Sequence, residues 1–343
     1  VVMSSNDGNP GDWGGLTICG NATTDAGVDA EAEVGGFIYG GTDDGDNSGS
    51  ISNLVIIGTG AQINSESQYN GVSFYAVGSG TAVENVAVIN GSDDGVEFFG
   101  GTVSVTNLFL QNNEDDAIDW TEGWSGTVTN AYVEHTIEGF STVVEADKDN
   151  ANPKLINLTA VSTVGGTALQ FKKESGATIT GLSLSGYTTS VDMKDDGPLA
   201  NVIIEGETAD PSKSYNAPAT VDPGNWSWVD AELAEVVVLN GEVTSDVELD
   251  ATKSYRLTGS YIVKDGASLT IPAGTKIHAD AGATEVYIAV LQGADIFING
   301  TVENPVVIAS DLGSPGDWGG LTICGEATTT AGVDAEAEVG GFI

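Results

Sequence analysis

A short β-strand motif that returns at nearly regular intervals between residues 50 and 205 constrains the fold most strongly. Each occurrence is a turn residue followed by alternating apolar residues, as in NLVIIG, NVAVIN and NLFLQN. The seven occurrences begin at residues 53, 85, 107, 130, 157, 181 and 201. Coil-sized repeats with a two-residue alternation and no helical spacing are typical of β-solenoids. The sequence therefore predicts an all-β chain that folds as a parallel β-helix.

The first residue of the motif is asparagine in six of the seven occurrences. Stacked coils lie about 4.8 Å apart, so equivalent side chains contact one another along the stack. An Asn at a tight turn tolerates left-handed backbone angles and can both donate and accept along the stack. We therefore interpret these residues as a structural ladder above inward apolar columns, with Val202 and Ile204 stacked on Leu182 and Leu184. The ladder comprises Asn53, Asn85, Asn107, Asn130, Asn157 and Asn201.

A second short strand follows the motif in five successive coils and reads VEF, IDW, VEA, LQF and VDM. Its outer residues point inward, and Phe98, Trp120 and Phe171 are predicted to stack in the core. The middle residue must then point outward, and it is acidic in four of the five coils. Like charges at this spacing repel one another unless something neutralises them. This acidic outward column is Glu97, Asp119, Glu145 and Asp192.

Carboxylates in nearby turns make Ca²⁺ the candidate cofactor. The turns SDDG and NEDDA precede two of these second strands, and the loop DDGDNSGS resembles the first half of an EF-hand loop. Clusters of oxygen ligands on stiff backbone suit Ca²⁺, which takes six to eight of them. The other interpretation is a solvated acidic surface. The candidate metal ligands are Asp44, Asp46, Ser48, Asp93, Asp94, Asp115 and Asp116.

The charge balance limits the classes of partner. Ten Lys and Arg stand against 50 Asp and Glu, which gives a formal net charge of −40. Such a surface repels nucleic acids and anionic lipid headgroups. The hydrophobic fraction of 40% still provides for a substantial core. No stretch of 18 apolar residues occurs, so membrane insertion is not expected.

An outward acidic column on a β-helix also raises an enzymatic hypothesis. Polysaccharide lyases and hydrolases use carboxylates with Ca²⁺, or paired carboxylates as acid and base. The candidate bases near the column are Lys148, Lys172, Lys173 and Lys194. The simpler interpretation is that these lysines form surface ion pairs with the acids. We therefore assign no catalytic residue and do not expect an enzyme.

A domain-sized repeat is superimposed on the coil pattern. The 38 residues from Val1 match those from Val306 at 31 positions, with an offset of 305 residues. A self-match at a fixed period indicates an array. The sequence therefore predicts tandem units of about 305 residues.

Each repeat carries one cysteine, because Cys19 and Cys324 occupy the same position in the two copies. One interpretation is a small apolar thiol packed in a strand. The other is a link between subunits, which requires an oxidising compartment.

Several motifs in fixed order resemble a known group of proteins. GDWGGLTICG, YGGTDDGDNSGSISNLVI, AVGSGTAVENV and GSDDGVEFFGGTV are similar to the motifs of a family of secreted or surface-anchored bacterial β-helix proteins. The resemblance covers most of residues 11–126. It implies a right-handed parallel β-helix of the pectate-lyase-like superfamily and an extracellular or cell-surface location. It transfers no catalytic residue to this chain.

The same resemblance places the boundaries. Residues 254–282 look like the opening coils of such a domain, whereas residues 206–235 break the motif and contain three prolines. We therefore expect residues 1–205 to form the main part of one unit, 206–235 an irregular end or joint, and 236–343 the opening coils of the next unit.

These observations favour a structural role. Stacked copies cover their exposed strand edges, so we expect an extracellular filament, stalk or adhesin shaft that contacts further copies of itself end to end. Lateral contacts could use the apolar outward residues Val55, Phe109 and Tyr132. The alternatives are a polysaccharide lyase or hydrolase and a glycan-binding module. The latter would use exposed aromatic residues such as Trp124, Trp226 and Trp228.

Overall fold

The computed structural model describes residues 1–5, 8–64, 67–232, 236–282, 284–310, 313–332 and 335–336. The chain divides into two compact units, Val1–Ser227 and Trp228–Ile343. The division falls within the 206–235 segment that the sequence predicts as a joint. Residues 337–343, the end of the second repeat copy, lie outside the described residues.

The regular secondary structure of unit 1 consists almost entirely of short β-strands. In chain order they are β1 (Val2–Ser4), β2 (Leu16–Cys19), β3 (Ala30–Glu31), β4 (Ile38–Tyr39), β5 (Ser50–Ile57), β6 (Val72–Tyr75), β7 (Ala82–Ile89), β8 (Val96–Phe99), β9 (Ser104–Gln111), β10 (Ile118–Thr121), β11 (Thr127–His135), β12 (Thr142–Ala146), β13 (Lys154–Ser162), β14 (Thr167–Lys172), β15 (Ala177–Ser185), β16 (Thr189–Lys194), β17 (Val202–Ile204) and β18 (Glu207–Thr208). Short 3₁₀ helices span Leu199–Asn201 and Pro223–Trp226.

The strands of unit 1 alternate between two parallel sheets. One has nine strands in the order β1-β5-β7-β9-β11-β13-β15-β17-β18, with only β17 and β18 antiparallel. The other has seven, in the order β16-β14-β12-β10-β8-β6-β2. β3 and β4 form a separate antiparallel pair. From β5 to β17, consecutive strands of the chain therefore belong to different sheets, and each sheet gains one strand per coil. This arrangement is a parallel β-solenoid and confirms the predicted fold class.

Unit 2 has the same kind of architecture with fewer strands. Helix α1 (Ser227–Glu232) spans the boundary, and the strands are β19 (Val236–Val243), β20 (Val247–Glu248), β21 (Ser254–Val263), β22 (Ser268–Pro272), β23 (Lys276–Ala279), β24 (Tyr287–Val290), β25 (Asp295–Asn299), β26 (Val307–Ser310) and β27 (Leu321–Ile323). Its main sheet has the order β26-β23-β21-β24-β27, with β19 also paired to β21. A second sheet has the order β20-β22-β25.

The core of unit 1 lies between its two large sheets. The predicted register is observed, since Leu54 pairs with Val86 and Val86 with Leu108. The predicted aromatic residues Phe98, Trp120 and Phe171 are buried in this core, but Phe98 stacks on Trp124, with ring centroids 4.1 Å apart. Phe74 and Phe98 stack with ring centroids 5.3 Å apart, and Trp120 meets Phe171 edge-on at 6.2 Å. Like side chains stack because each coil repeats the position of the previous one.

The asparagine ladder is confirmed over five coils. The ladder residues Asn53 to Asn157 have φ between 52° and 59°, in the left-handed region. Within the ladder the side chain of Asn107 donates to Asn85 at 2.9 Å, and Asn130 donates to Asn107 at 3.0 Å. In the next coil Gly181 occupies the ladder position, also with left-handed backbone (φ of 69°). A Cβ at this position would lie 2.5 Å from Asn157 Oδ1, so glycine is the residue that fits. Asparagine suits the ladder position because it both adopts the left-handed backbone conformation and forms hydrogen bonds with the equivalent residues of neighbouring coils.

The last coil departs from the prediction. Val202 pairs with Ala177 and Ile204 with Ile179, five residues earlier than the motif suggests. Asn201 is outside the ladder and donates instead to the carbonyl of Glu174 at 2.7 Å. The shift follows from the 3₁₀ helix that includes Asn201, which changes where β17 joins the sheet.

Replacing one ladder residue separates its two contributions. We expect Asn130→Ala to lower the free energy of unfolding by about 2–3 kcal/mol, because it loses side-chain hydrogen bonds and places a Cβ in left-handed backbone. Asn130→Gly should cost only about 1 kcal/mol, because the backbone conformation is then unstrained. Guanidinium unfolding of both variants measures the difference. Equal losses would show that backbone strain is not a factor.

The outer face of the nine-stranded sheet is covered by the residues that follow β18. Leu184 N–H donates to the carbonyl of Tyr215 at 2.8 Å, and Ser183 Oγ donates to that of Ala217 at 2.7 Å. The ring of Trp226 lies 5.9 Å from Phe109 and 6.5 Å from Tyr132. Residues 215–226 of the predicted joint therefore belong to unit 1 and pack on its nine-stranded sheet.

This cover corrects the proposed lateral contacts. Phe109 and Tyr132 are buried beneath Trp226, and Val55 is fully buried. The alternation correctly placed these side chains on the outside of the sheet but gave no information about the segment that packs over them. Within unit 1, the three residues are part of the packing and are not exposed for contacts with other molecules.

Candidate functional site

Two adjacent columns of polar side chains run along the seven-stranded sheet. The first column lies two residues before the first inward apolar residue of each coil's second strand. Strand register aligns these apolar residues, since Val72 pairs with Val96, Val96 with Ile118 and Ile118 with Val144. The column is therefore Asn70, Asp94, Asp116 and Thr142.

The second column contains the predicted outward acids. Glu97 pairs with Asp119, and Asp119 with Glu145. Glu145 and Asp192 are half-buried, but Glu97 and Asp119 are only 9% and 8% exposed. Both side chains point out of the apolar core, and neighbouring side chains such as Asn70 enclose them.

The two columns meet in a compact carboxylate cluster formed by Asp94, Glu97 and Asp119. One carboxylate oxygen from each residue lies within 4.8 Å of the others. Asp93, Asp94 and Asp115 form a second group of the same dimensions, so Asp94 belongs to both. The predicted neighbourhood of the turns SDDG and NEDDA is thus observed. Glu97 and Asp119 join it because the solenoid places the strand residue beside the turn residue of the adjacent coil.

Few hydrogen-bond donors serve this cluster. Asn70 Nδ2 donates to Glu97 Oε2 at 2.6 Å, and the backbone N–H of Asp116 donates to Asp94 Oδ1 at 2.9 Å. Thr142 Oγ1 donates to Asp116 Oδ1 at 2.6 Å. Asp119 Oδ1 is buried and has no hydrogen-bond partner among the described residues. A buried carboxylate oxygen without a partner costs free energy unless it is protonated or binds a cation.

The electrostatics of the cluster reflect burial and crowding. Burial, together with neighbouring carboxylates, raises the pKa of Asp94, Glu97 and Asp119 well above the usual range. Burial and the charge of Asp115 raise the pKa of Asp93 to about 7, and burial and Glu145 raise the pKa of Asp116 to about 7. Without a cation, the cluster therefore retains protons near neutral pH.

The lysines near the acidic column pair with carboxylates at its margin. Lys172 lies 2.5 Å from Glu145, and Lys194 lies 3.4 Å from Asp192. The two remaining candidate bases pair in the same way, Lys148 with Glu122 at 3.6 Å and Lys173 with Asp147 at 3.1 Å. In the described part of the chain, no ion pair joins a lysine or arginine to Asp94, Glu97 or Asp119. The geometry thus matches the surface ion-pair interpretation of the lysines.

A cavity of about 320 Å³ borders the cluster at Glu97. Its other acidic lining residues include Glu31, Glu33 and Glu122, with Lys148 beside them. Tyr39 donates to Glu122 at 2.8 Å. The predominance of carboxylates around the cavity favours the entry of cations over that of anions.

The chemistry of the donor set fits a hard divalent cation. Asp94, Glu97 and Asp119 offer carboxylate oxygens, the ligands that Ca²⁺ prefers, and the Asn70 carboxamide lies beside them. The spacing of their oxygens is compatible with contacts of about 2.3–2.6 Å to one shared ion. A bound cation would supply positive charge to Asp119 Oδ1, for which the described residues provide no donor.

The loop with Asp44, Asp46 and Ser48 has a different role. Asp44 Oδ1 accepts from Thr23 N–H at 3.0 Å, and Asp46 Oδ1 accepts from Asn21 Nδ2 at 3.2 Å. Ser48 Oγ donates to Asp46 Oδ2 at 2.9 Å. Neither aspartate belongs to a group of three close acidic ligands among the described residues. These hydrogen bonds connect the loop to residues 21–23. The predicted metal ligands therefore do not form one site, and among them only Asp93, Asp94 and Asp115 come together.

Other candidate residues are enclosed or separate. Trp124 is fully buried and donates from Nε1 to the carbonyl of Val103 at 3.0 Å, and Trp226 is buried against unit 1. Trp228 is half-buried. Cys19 and Cys324 are half-buried free thiols, one in each unit. The prediction that Trp124 and Trp226 are exposed is wrong, because Trp124 stacks on Phe98 in the core with ring centroids 4.1 Å apart and Trp226 covers Phe109 and Tyr132 on the outer face of the sheet.

Sequence reasoning missed Asn70 and Thr142 as members of the site. Both lie outside the recurring motif, Asn70 before β6 and Thr142 as the first residue of β12. A signal was nevertheless present, because each stands two residues before the first residue of an inward triplet, as Asp94 and Asp116 do. Aligning the second strands and reading the preceding turn would have found the column.

The family of the chain follows from its sequence profile. The profile described as "Pectate-lyase like beta helix domain" matches residues 1–217 and 241–343. No curated protein and no solved structure gives a significant match. In the described part of the chain, no helix is both long enough and apolar enough to cross a membrane. With the parallel solenoid and the matched residues together, the chain belongs to the pectate-lyase-like β-helix family.

Proposed function

We propose that this protein is a structural component of an extracellular filament, stalk or adhesin shaft, built from β-solenoid units joined end to end. The observation that carries the proposal is the 305-residue repeat, whose two copies both form strands of a parallel solenoid. A solenoid grows by adding identical layers, so repeated units extend it without a change of architecture. Pectate-lyase-like β-helix domains are often extracellular, which fits this setting.

We further propose that Ca²⁺ at the carboxylate cluster stiffens each unit. Asp94 and Glu97 come from one coil and Asp119 from the adjacent coil, so one ion would join layers that otherwise carry like charges. Asp119 Oδ1, which has no hydrogen-bond partner among the described residues, supports this role. With a net charge of −40, the chain also benefits from divalent cations that reduce its self-repulsion.

The glycan-binding and enzymatic alternatives have less support than the structural role. A glycan-binding module needs exposed aromatic platforms, but Trp124 and Trp226 are buried. A polysaccharide-cleaving enzyme would need carboxylates in contact with substrate. Asp119 is enclosed, and the adjoining acidic cavity disfavours anionic glycans.

Electron microscopy and sedimentation velocity of the purified chain with Ca²⁺ test the structural role. We expect elongated particles whose length grows with protein concentration. An incubation with neutral and acidic polysaccharides, assayed for reducing and unsaturated ends, accompanies the measurement. Particles of constant size together with release of chain ends would contradict the proposal and support an enzyme.

A further inference from the structure

After β18 the chain runs back along the outside of the nine-stranded sheet. Its contacts fall on successively earlier strands, since Tyr215 lies against β15, Thr220 against β13, and Trp226 against β11 and β9. Neighbouring strands are about 4.8 Å apart, so the segment crosses about three coils along the solenoid axis. We name residues 210–227 the strap.

The strap crosses the strands without becoming part of the sheet. In the described part of the chain, the only backbone–backbone hydrogen bond between the strap and the sheet runs from Leu184 N–H to the carbonyl of Tyr215, at 2.8 Å. By comparison, β13 and β15 pair at seven positions. Three residues of the strap have no N–H to donate to a ladder, namely Pro211, Pro218 and Pro223. Backbone hydrogen bonds therefore hold the strap far less than they hold the paired strands.

A few side chains anchor the strap instead. Thr159 Oγ1 accepts from the N–H of Thr220 at 3.0 Å and from that of Val221 at 3.1 Å. Thr220 Oγ1 donates to the carbonyl of Gly181 at 2.7 Å. Val221 and Trp226 are only 4% and 2% exposed. Because these anchors are separate points along the strap, it can leave the sheet without breaking a strand ladder.

The position of the strap determines where tension enters unit 1. The peptide bond between Ser227 and Trp228 joins the two compact units. A pull along the chain from unit 2 therefore reaches unit 1 at Trp226, over β9 and β11, and not at β17 or β18. Segments with few backbone hydrogen bonds open at a lower free energy than core strands do. The strap is consequently the first part of unit 1 that such a pull loads and the weakest.

We infer that the strap is a releasable link, which detaches from the nine-stranded sheet under tension between the units while the coils stay folded. The inference rests on the proposed structural function, because a filament or shaft is what places its units under tension. Fully extended, the 18 residues of the strap reach about 60 Å. The link therefore lengthens without exposing the core, and it binds the sheet again when the tension falls.

A disulfide lock tests the release in the full chain. The hydroxyl oxygens of Thr159 and Thr220 lie 3.3 Å apart, so cysteines at these two positions are close enough to form a disulfide. The test chain carries Thr159→Cys and Thr220→Cys together with Cys19→Ser and Cys324→Ser, so that no other thiol competes. Optical tweezers stretch it through tags at its two ends, first oxidised and then reduced.

The reduced chain should lengthen reversibly by about 40–60 Å at low force, before any larger event. In the oxidised chain only residues 221–227 can detach, so the first lengthening should fall to at most about 25 Å. The lock also separates the strap from a coil of similar length, because a coil that unfolds first is unaffected by it. A first event of equal length in both redox states would therefore overturn the inference.

Removing the main apolar anchor provides an independent test. Trp226→Ala should lower the force of the first event at least about twofold, because Trp226 is the largest buried side chain of the strap. Asn225→Ala is the matched control, since Asn225 is exposed and should leave this force unchanged. Thermal unfolding verifies that the coils of both variants are folded. Equal forces in the two variants would contradict the inference.

The outcomes separate this inference from the proposed function. Particles that elongate with concentration, from a chain whose first lengthening is insensitive to the lock, would refute the strap and leave the structural role in place. A lock-sensitive first lengthening, in a chain that forms only particles of one size, would establish the release and refute the structural role.

Discussion

Calcium is expected to raise the free energy of unfolding of the metal-free chain by about 3 kcal/mol when its concentration is about a hundredfold above the dissociation constant. The reason is the cluster of Asp94, Glu97 and Asp119, whose oxygens converge while Asp119 Oδ1 has no partner among the described residues. Unfolding separates these ligands, so the ion binds the folded state preferentially. Guanidinium unfolding followed by tryptophan fluorescence, with EDTA or with CaCl₂, measures the increment.

Asp119→Asn should remove most of this increment. The substitution keeps the size of the side chain but removes one charge from the ligand set, so Ca²⁺ binding weakens. In EDTA the same variant should be at least as stable as the unmodified chain, because repulsion with Glu97 is reduced. Asp192→Asn is the matched control, since Asp192 lies in the same column but pairs with Lys194. An Asp119→Asn chain that keeps the full calcium increment would exclude the site.

The stability of the metal-free chain should fall as the pH rises from about 4 to about 7. Asp93 and Asp116 have folded-state pKa values of about 7 against ordinary values of 3.8. In this window the folded state binds more protons than the unfolded state, so raising the pH favours unfolding. One pKa unit corresponds to about 1.4 kcal/mol, and we expect a total decrease of roughly 2–4 kcal/mol.

Calcium should reverse the direction of this pH dependence. The ion binds the deprotonated carboxylates, so its stabilisation grows as protons leave Asp94, Glu97 and Asp119. Guanidinium midpoints across the same pH range, with EDTA and with excess CaCl₂, should therefore diverge toward neutral pH. A metal-free chain that becomes more stable between pH 4 and 7 would show that these carboxylates are not the dominant titrating groups.

The coil pattern predicted the inside of the solenoid well. The motif spacing and the two-residue alternation gave the register of Leu54, Val86 and Leu108 and the ladder from Asn53 to Asn157, because each depends only on local chain geometry repeated in every coil. The prediction failed at Asn201, where a 3₁₀ helix changes the path of the chain before β17. The motif at residue 201 resembles the earlier ones in sequence, so the repeat spacing alone could not reveal that a 3₁₀ helix precedes this strand.

The site shows the same division. The acidic turns were recognised from sequence, and the structure brings Asp93, Asp94 and Asp115 together as expected. The inclusion of Glu97 and Asp119 was not predicted, because alternation tells which side of a strand a side chain leaves but not what encloses it. Asn70 was missed because its position is equivalent to Asp94 only after the strands are aligned.

The sequence by itself determined the fold class, the identity of the inward columns, the ladder and the 305-residue period, because each is a repetition of local physical preferences. Tertiary structure alone decided which outward residues are exposed. The segment after β18 buries Phe109 and Tyr132, and neighbouring turns bury Glu97 and Asp119. Burial depends on segments distant in sequence, and no local pattern encodes it.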